Sequence, residues 1–175
     1  LVSTLKYYFQ GRKELFQGLA IDSLEKEWTV YPVLHFDMSI AKHMEKEQLE
    51  AALGNQLSWH EREYGIVPED KDSNLRLKNL IATAYKQTGQ RVVILIDEYD
   101  VPMAKAHENG YYDEMVLLLR NMFGNVLKKN SSIAFAVLPA ANLYFLYCFT
   151  AKWSGLRSSK SAKSRSTGLW YSSSS

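Results

Sequence analysis

The sequence predicts an α/β fold, a three-layer sandwich in which helices cover both faces of a mostly parallel sheet. Two observations predict it. Apolar runs rich in strand-forming residues alternate with helical patterns along the chain, as in successive βαβ units. One run, VVILI at 92–96, contains no polar residue, which is typical of a strand at the centre of a parallel sheet.

The first part of the chain predicts a strand between two helices. LVSTLKYYFQ has apolar residues spaced four apart, which predicts a helix, and Gly11 is the expected stop. YPVLHFDMS at 31–39 is rich in strand formers, and we expect this strand to end near Asp37. A charged amphipathic helix is expected over 45–63.

The second part of the chain predicts two further helices and two further strands. In chain order they are a helix over 74–87, the apolar strand over 91–96, a helix over 112–127 and a strand over 131–138. Asp72 or Ser73 is expected to cap the first of these helices, because short polar side chains accept hydrogen bonds from the first free N–H groups. Gly89 is expected to end it.

Residues 139–175 break this pattern. They contain ten serines, five basic residues and no acidic residue, without continued periodicity. Such composition is typical of low-complexity or out-of-frame sequence. We therefore expect one domain over 1–138 and a disordered or frameshifted tail over 139–175.

Bulk composition argues against several classes of protein. A chain of 175 residues suffices for one domain with a proper core. No run approaches 18 uninterrupted apolar residues, so no membrane span is expected. The first residues lack the pattern of a signal peptide, so the expected compartment is the cytoplasm. Cys148 is the single cysteine, which excludes an internal disulfide and a cysteine-rich metal site.

Asp97 and Glu98 directly follow the apolar strand and are the candidate catalytic pair. Four or more hydrophobic residues followed by Asp-Glu form the Walker B pattern of P-loop ATPases. In that pattern the Asp holds Mg²⁺, usually through water, and the next carboxylate polarises the attacking water. The alternative is an ordinary strand that ends at solvent in acidic residues. The partner motif, a glycine-rich loop ending in Gly-Lys-Ser or Gly-Lys-Thr, is absent from these 175 residues.

Four stretches resemble the bacterial AAA-ATPase-like family, a group of P-loop proteins often followed by a nuclease-like domain of the PD-(D/E)XK type. They are LVSTLKYYFQGRKELFQGLAI, YPVLHFDMS, AYKQTGQRVVILIDEYDVP and LLRNMFGNVLK. The resemblance covers 1–138. It implies a P-loop NTPase sandwich, ATP and Mg²⁺ as ligands of the parent protein, Asp97 as the magnesium-associated carboxylate and Glu98 as the catalytic base.

The resemblance also implies that both ends depart from the family. Its members carry the Gly-Lys-Ser loop just before a helix like the first one here, so we expect that loop and one strand upstream of Leu1. After a strand like FAVL they continue with Thr-Gly, where this chain has Pro139 and Ala140. A one-base frameshift at Pro139 would explain this difference, and a divergent tail is the alternative. We therefore expect this chain to be a fragment of an ATPase domain, and we expect it to be inactive alone because the phosphate-binding loop is absent from it.

Two other functions stay open at the level of the sequence. The chain could be a nonenzymatic interaction module or a gene remnant, pairing with a partner through a sheet edge or the 45–63 helix. It could also carry a nuclease-type site in which Asp97 and Glu98 bind metal directly, although the expected nearby lysine is missing. Asp37 is a further candidate site residue, because it ends a strand at the same sheet edge as Asp97. His35 is expected on a sheet face or in the core.

Overall fold

Three parallel strands organise the fold, in the order β1–β2–β3. They are β1 Val33–Asp37, β2 Val92–Asp97 and β3 Ile133–Val137. The computed structural model describes residues 1–41, 46–127 and 130–137. The predicted α/β class with a parallel sheet is confirmed, and the three-stranded sheet is compatible with part of a P-loop-like sandwich. The expected tail over 139–175 lies outside the described residues.

Seven α-helices accompany the strands in the described part of the chain. They are α1 Val2–Phe9, α2 Ala20–Leu24, α3 Lys46–Glu63, α4 Ser73–Thr88, α5 Asp100–Glu108, α6 Tyr112–Leu119 and α7 Asn125–Leu127. Two short 3₁₀ turns lie at Lys13–Phe16 and Ser39–Ala41. No described helix is both long enough and apolar enough to cross a membrane.

The central strand is β2, and it is buried on both faces. All five residues of its VVILI run are buried, and only Asp97 at its end is partly exposed. β1 lies on one side in unbroken register, and β3 lies on the other side with an irregularity between Val92 and Val93. A fully apolar strand belongs in such a position because both of its faces are removed from water.

Two apolar layers cover the sheet, one on each face. On the first face, alternate residues of β1 and β2 pack with α3, α4 and the α6–α7 region; these strand residues are Leu34, Phe36, Ile94 and Ile96. On the second face, Val93 and Leu95 pack with Val2 and Leu5 of α1. Because strand side chains alternate between faces, a single strand supplies both layers.

The first helix runs antiparallel to the strands on the second face. Its last residue, Phe9, lies near the start of β1, where the Tyr31 N–H donates to the Phe9 carbonyl at 2.8 Å. Its first residue, Val2, packs with Leu95 and Val137 near the other end of the sheet. The predicted stop at Gly11 is confirmed: its φ is +68°, and a Cβ there would lie 2.7 Å from Val30 Cγ2.

The fourth helix begins and ends at the signals that the sequence predicts. Asp72 caps it, since its Oδ1 accepts from the N–H groups of Asn74 at 2.8 Å and Leu75 at 3.1 Å. Gly89 ends it with a φ of +68° in the left-handed region, where glycine carries no steric cost. The helix extends one residue beyond the predicted range at each end.

Two local features differ from the prediction. Helix α5 was not predicted, and it contains Pro102 in its first turn, where a missing N–H costs no helical hydrogen bond. The predicted helix over 112–127 is present, but Arg120–Gly124 forms a π-helical turn between α6 and α7. Hydrophobic periodicity does not distinguish such a turn from a continuous α-helix.

A buried ion pair joins α3 to α4. Glu61 is 1% exposed, and Arg76 donates to it from Nε at 3.0 Å and from Nη2 at 2.5 Å. The same Nη2 donates to Ser58 Oγ at 2.7 Å. The hydrogen bonds to Glu61 hold the pKa of Arg76 above its usual value, although burial opposes that shift. The pair fixes the two helices against each other beneath the sheet.

We predict that Arg76→Leu lowers the free energy of unfolding by about 3 kcal/mol, because Glu61 is left buried without its charged partner. Urea denaturation measures this loss. The control is the double variant Glu61→Leu/Arg76→Leu, which should lie closer to the wild type because no unpaired charge remains. Equal losses in the single and double variants would contradict the interpretation.

Candidate functional site

Asp37 and Asp97 end neighbouring strands on the same rung of the sheet. They are Cα partners in the register of β1 with β2, at the carboxyl edge of both strands. This confirms the expectation that Asp37 lies at the same edge as Asp97. Val33 and Leu95 face α1, and side chains alternate along a strand, so both carboxylates lie on the α1 face.

Asp97 is held in place by its neighbours along and across the sheet. Its main-chain carbonyl accepts from the Met38 N–H at 3.0 Å, which continues the ladder one residue beyond β1. Its Oδ1 accepts from the Glu98 N–H at 3.1 Å. The residue is partly exposed, so the carboxylate is fixed by the backbone and still reaches solvent.

Glu98 occupies the turn that follows β2. Its φ is +51°, a left-handed conformation that non-glycine residues adopt at a cost. Its carbonyl accepts from the Val101 N–H at 3.1 Å, and the chain enters α5 at Asp100. The residue is exposed. Strained conformations of this kind occur preferentially at functional sites.

Two side chains of α3 lie within hydrogen-bonding distance of backbone N–H and carbonyl groups at the outer edge of β1. Gln56, which is 5% exposed, accepts from the Asp37 N–H and donates to the Asp37 carbonyl, both at 2.8 Å. His60, one turn later, places Nε2 at 3.2 Å from the His35 nitrogen and 3.0 Å from the His35 oxygen. Together they occupy positions that a neighbouring strand would otherwise take.

The sequence did not identify Gln56 and His60 as part of this edge. Their four-residue spacing is visible in the sequence, but the strand that they face is decided by packing. The adjacent stripe of the same helix is apolar and packs into the core through Leu49, Leu53 and Leu57. This edge and the apolar face of α3 are therefore already engaged within the chain.

His35 lies on the α1 face between these groups. Burial lowers its pKa below the ordinary value. Lys6 and His60 lower it further, whereas Asp97 and Asp37 act in the opposite direction. Its buried Nε2 has no hydrogen-bond partner among the described residues. The charges of Lys6, His60, Asp97 and Asp37 therefore all act on the His35 ring, and the two carboxylates partly offset the effect of burial.

An open groove of about 890 Å³ runs along this edge between α1 and α3. Its lining includes Lys6, His35, Asp37, Gln56 and His60. The groove leaves Asp37 accessible from the side opposite β2. Its lining carries both charge signs, so it has no uniformly basic or acidic character.

The donor set at the carboxyl edge fits a hard cation. Within the described residues no group of three or more histidine, cysteine or acidic side chains is arranged to hold a metal ion. Mg²⁺ does not need such a cage, because it keeps several waters and binds through one or two carboxylates together with substrate phosphates. Carboxylate oxygens at Asp97 and Asp37 match that preference.

We predict that His35 makes the protein less stable as the pH falls. Because its pKa is lower in the folded state, the unfolded state binds the proton more readily, and stability drops as the pH falls below about 6.5. His35→Gln should remove this part of the pH dependence. Urea denaturation between pH 5 and pH 8 measures it, and an unchanged slope in the variant would contradict the prediction.

We predict that Glu98→Gly is more stable than Glu98→Ala by about 1 kcal/mol, because only glycine adopts the left-handed region without steric cost. Chemical denaturation of both variants measures the difference. Glu50, exposed within α3, provides the matched control. There the order should reverse, with glycine less stable than alanine by about 1 kcal/mol.

Comparison with known proteins gives a curated relative and a family model. One similar protein is the "Uncharacterized protein in vnfD 5'region" of Azotobacter chroococcum mcd 1, which is 26% identical over 153 residues. The match covers 82% of this chain and 28% of that protein, so the chain spans about 28% of the length of this relative. No solved structure matches. A sequence model of the family described as "Predicted AAA-ATPase" matches residues 1–140, which is most of the chain. The chain therefore belongs to the AAA-ATPase-like family.

Proposed function

We propose that this chain supplies the magnesium-binding and water-activating carboxylates of an ATP-hydrolysing site. The observation that carries the proposal is the end of β2, where Asp97 and Glu98 leave a fully buried central strand at the carboxyl edge of a parallel sheet. Ligands of open α/β sheets bind at that edge. Membership of a family described as a predicted AAA-ATPase supports the same reaction.

Asp97 is the proposed magnesium-associated carboxylate. The Glu98 N–H binds its Oδ1 at 3.1 Å, which limits rotation of the carboxylate. Oδ2 is then the oxygen that would accept from a water on the metal. Mg²⁺ held there would supply positive charge that stabilises the negative charge developing on the nucleotide phosphates. The strand holds Asp97 at a fixed height on the sheet edge, because Asp97 pairs with Asp37 and its carbonyl accepts from the Met38 N–H.

Glu98 is the proposed general base. It is exposed, next to Asp97 and held in a left-handed turn that directs the chain away from the strand. A carboxylate in this position would accept a proton from the water that attacks the terminal phosphate. General-base catalysis of this kind contributes about 10²- to 10⁴-fold in rate. The backbone strain at Glu98 is consistent with a residue kept in position for chemistry.

Phosphate binding needs groups beyond those described here. These 175 residues contain no Gly-Lys-Ser or Gly-Lys-Thr, the ending of the loop whose N–H groups and lysine hold the phosphates. The first turn of α1 lies toward the carboxyl end of the sheet, as does Asp97. We infer that a phosphate-binding loop would enter the site there, and that the 175-residue chain alone does not turn over ATP.

We further propose that hydrolysis drives a conformational change in an attached domain, since this chain spans about 28% of a longer relative. A nuclease-like domain is the proposed partner within the same polypeptide, and ATP with Mg²⁺ is the proposed ligand. The cytoplasm, where both are abundant, is the proposed compartment.

We predict that Asp97→Asn and Glu98→Gln each lower kcat for ATP hydrolysis by at least about 100-fold in the natural gene product that contains this segment. A coupled phosphate-release assay measures this loss. Glu98→Gln should still bind ATP, because it removes a proton acceptor and no phosphate contact. Glu63→Gln, an exposed substitution on α3, is the control and should keep wild-type activity. Full activity in either site variant would contradict the proposed role of that residue.

A further inference from the structure

Neither strand-end carboxylate takes part in an ion pair within the described part of the chain. Asp37 and Asp97 are Cα partners on strands that lie about 4.8 Å apart, and both lie on the α1 face. Like charges directly opposite each other on a sheet are destabilising. None of the ion pairs between described residues includes either aspartate. Their mutual repulsion is therefore not offset by a salt bridge there.

The protein holds Asp37 as firmly as it holds Asp97. The Ser39 N–H donates to Asp37 Oδ1 at 2.8 Å, just as the Glu98 N–H donates to Asp97 Oδ1. Gln56 fixes the Asp37 main chain through two hydrogen bonds of 2.8 Å. Each carboxylate thus has one oxygen bound by a backbone N–H that follows it, so the last rung of the sheet presents two acids that the backbone holds in place.

We propose that Asp37 is a second carboxylate of the magnesium site and acts with Asp97 on the water shell of one ion. The inference rests on the proposed role of Asp97. An Mg²⁺ ion that keeps its waters accepts one or two protein carboxylates, and two on adjacent strands match that number. Gln56 is then a positioning residue, because it acts through the Asp37 backbone and does not touch the ion.

A shared ion also accounts for the juxtaposition of the two charges. A divalent cation between the two carboxylates is attracted to both, and this attraction offsets the repulsion between them. The groove beside β1 gives hydrated ions access to Asp37 from the outer side. Lys6 lines the same groove and is the cation that would compete with the metal at low concentrations of divalent ions.

The test uses Mn²⁺ alone as the probe, titrated into the 175-residue chain and followed by the electron paramagnetic resonance signal of free Mn²⁺. Asp37→Asn keeps an oxygen that can accept from Ser39 and removes the charge. We expect it to weaken Mn²⁺ binding by about tenfold, and Asp97→Asn to do the same. The matched control is Asp113→Asn, an exposed aspartate in the first turn of α6, which should bind as the wild type does.

Each outcome separates the two proposals. If Asp97→Asn weakens binding and Asp37→Asn does not, the second carboxylate is wrong and the role of Asp97 stands. If only Asp37→Asn weakens binding, or if the wild type shows no saturable binding up to about 10 mM, the shared site is contradicted, whereas the role of Asp97 is decided by the kcat of Asp97→Asn in the natural gene product.

Thermal unfolding provides a second measurement that does not depend on the affinity of the probe. Without metal, Asp37→Asn should be at least as stable as the wild type, because one of two opposing like charges is gone. We then add Mg²⁺ to about 10 mM, a concentration on the order of the Kd of a weak magnesium site. This addition should raise the Tm of the wild type and leave the Tm of Asp37→Asn unchanged. Equal shifts in both proteins would overturn the proposal. Asp37→Glu, which keeps the charge but displaces it, should recover part of the wild-type shift.

Discussion

The in-register parallel pairing of β1 with β2 is the constraint on which the rest of the structure depends. Five successive Cα pairs join the two strands, from Val33 with Val93 to Asp37 with Asp97. A slip of one residue would exchange the two faces of β1, burying His35 and Asp37 and exposing Leu34 and Phe36. The same register that keeps apolar residues in the core therefore brings two carboxylates to one rung.

Burial of β2 on both faces determines how the helices are arranged. An apolar strand of five residues needs cover on each side, and α1 supplies it on one face while α3 and α4 supply it on the other. The Glu61–Arg76 pair then fixes α3 relative to α4. Because α3 is held there, Gln56 and His60 reach the outer edge of β1. Helix α3 thus contributes to the core and also satisfies backbone hydrogen-bonding groups of β1, the strand that carries Asp37.

The end of β2 combines a regular strand with an irregular turn. Asp97 still belongs to the ladder, whereas Glu98 has already left it with a positive φ. This abrupt change places two adjacent carboxylates in different environments, one partly buried beside Asp37 and one exposed. Helix α5 begins two residues after Glu98. Pro102 lies in its first turn, where a residue without an N–H is tolerated.

The sequence by itself determined the fold class, the approximate limits of the predicted helices and strands, and the motif at the end of β2. These are local or periodic properties: VVILI must be buried whatever surrounds it, Asp72 and Gly89 act on the backbone next to them, and IDEYD resembles a family pattern. Asp37 could be placed at the right edge because parallel strands end together.

Only the tertiary structure decided which residues meet across that edge. The pairing of Asp37 with Asp97, the attachment of Gln56 and His60 to β1, and the buried Glu61–Arg76 pair each join residues at least 15 positions apart in the chain. Helix α5 and the π-helical turn were also missed, because packing and strand exit decide them more than apolar periodicity does. Contacts between distant segments depend on how whole helices and strands pack. The apolar periodicity of one element shows which of its faces is buried, but it does not identify the element that packs against that face.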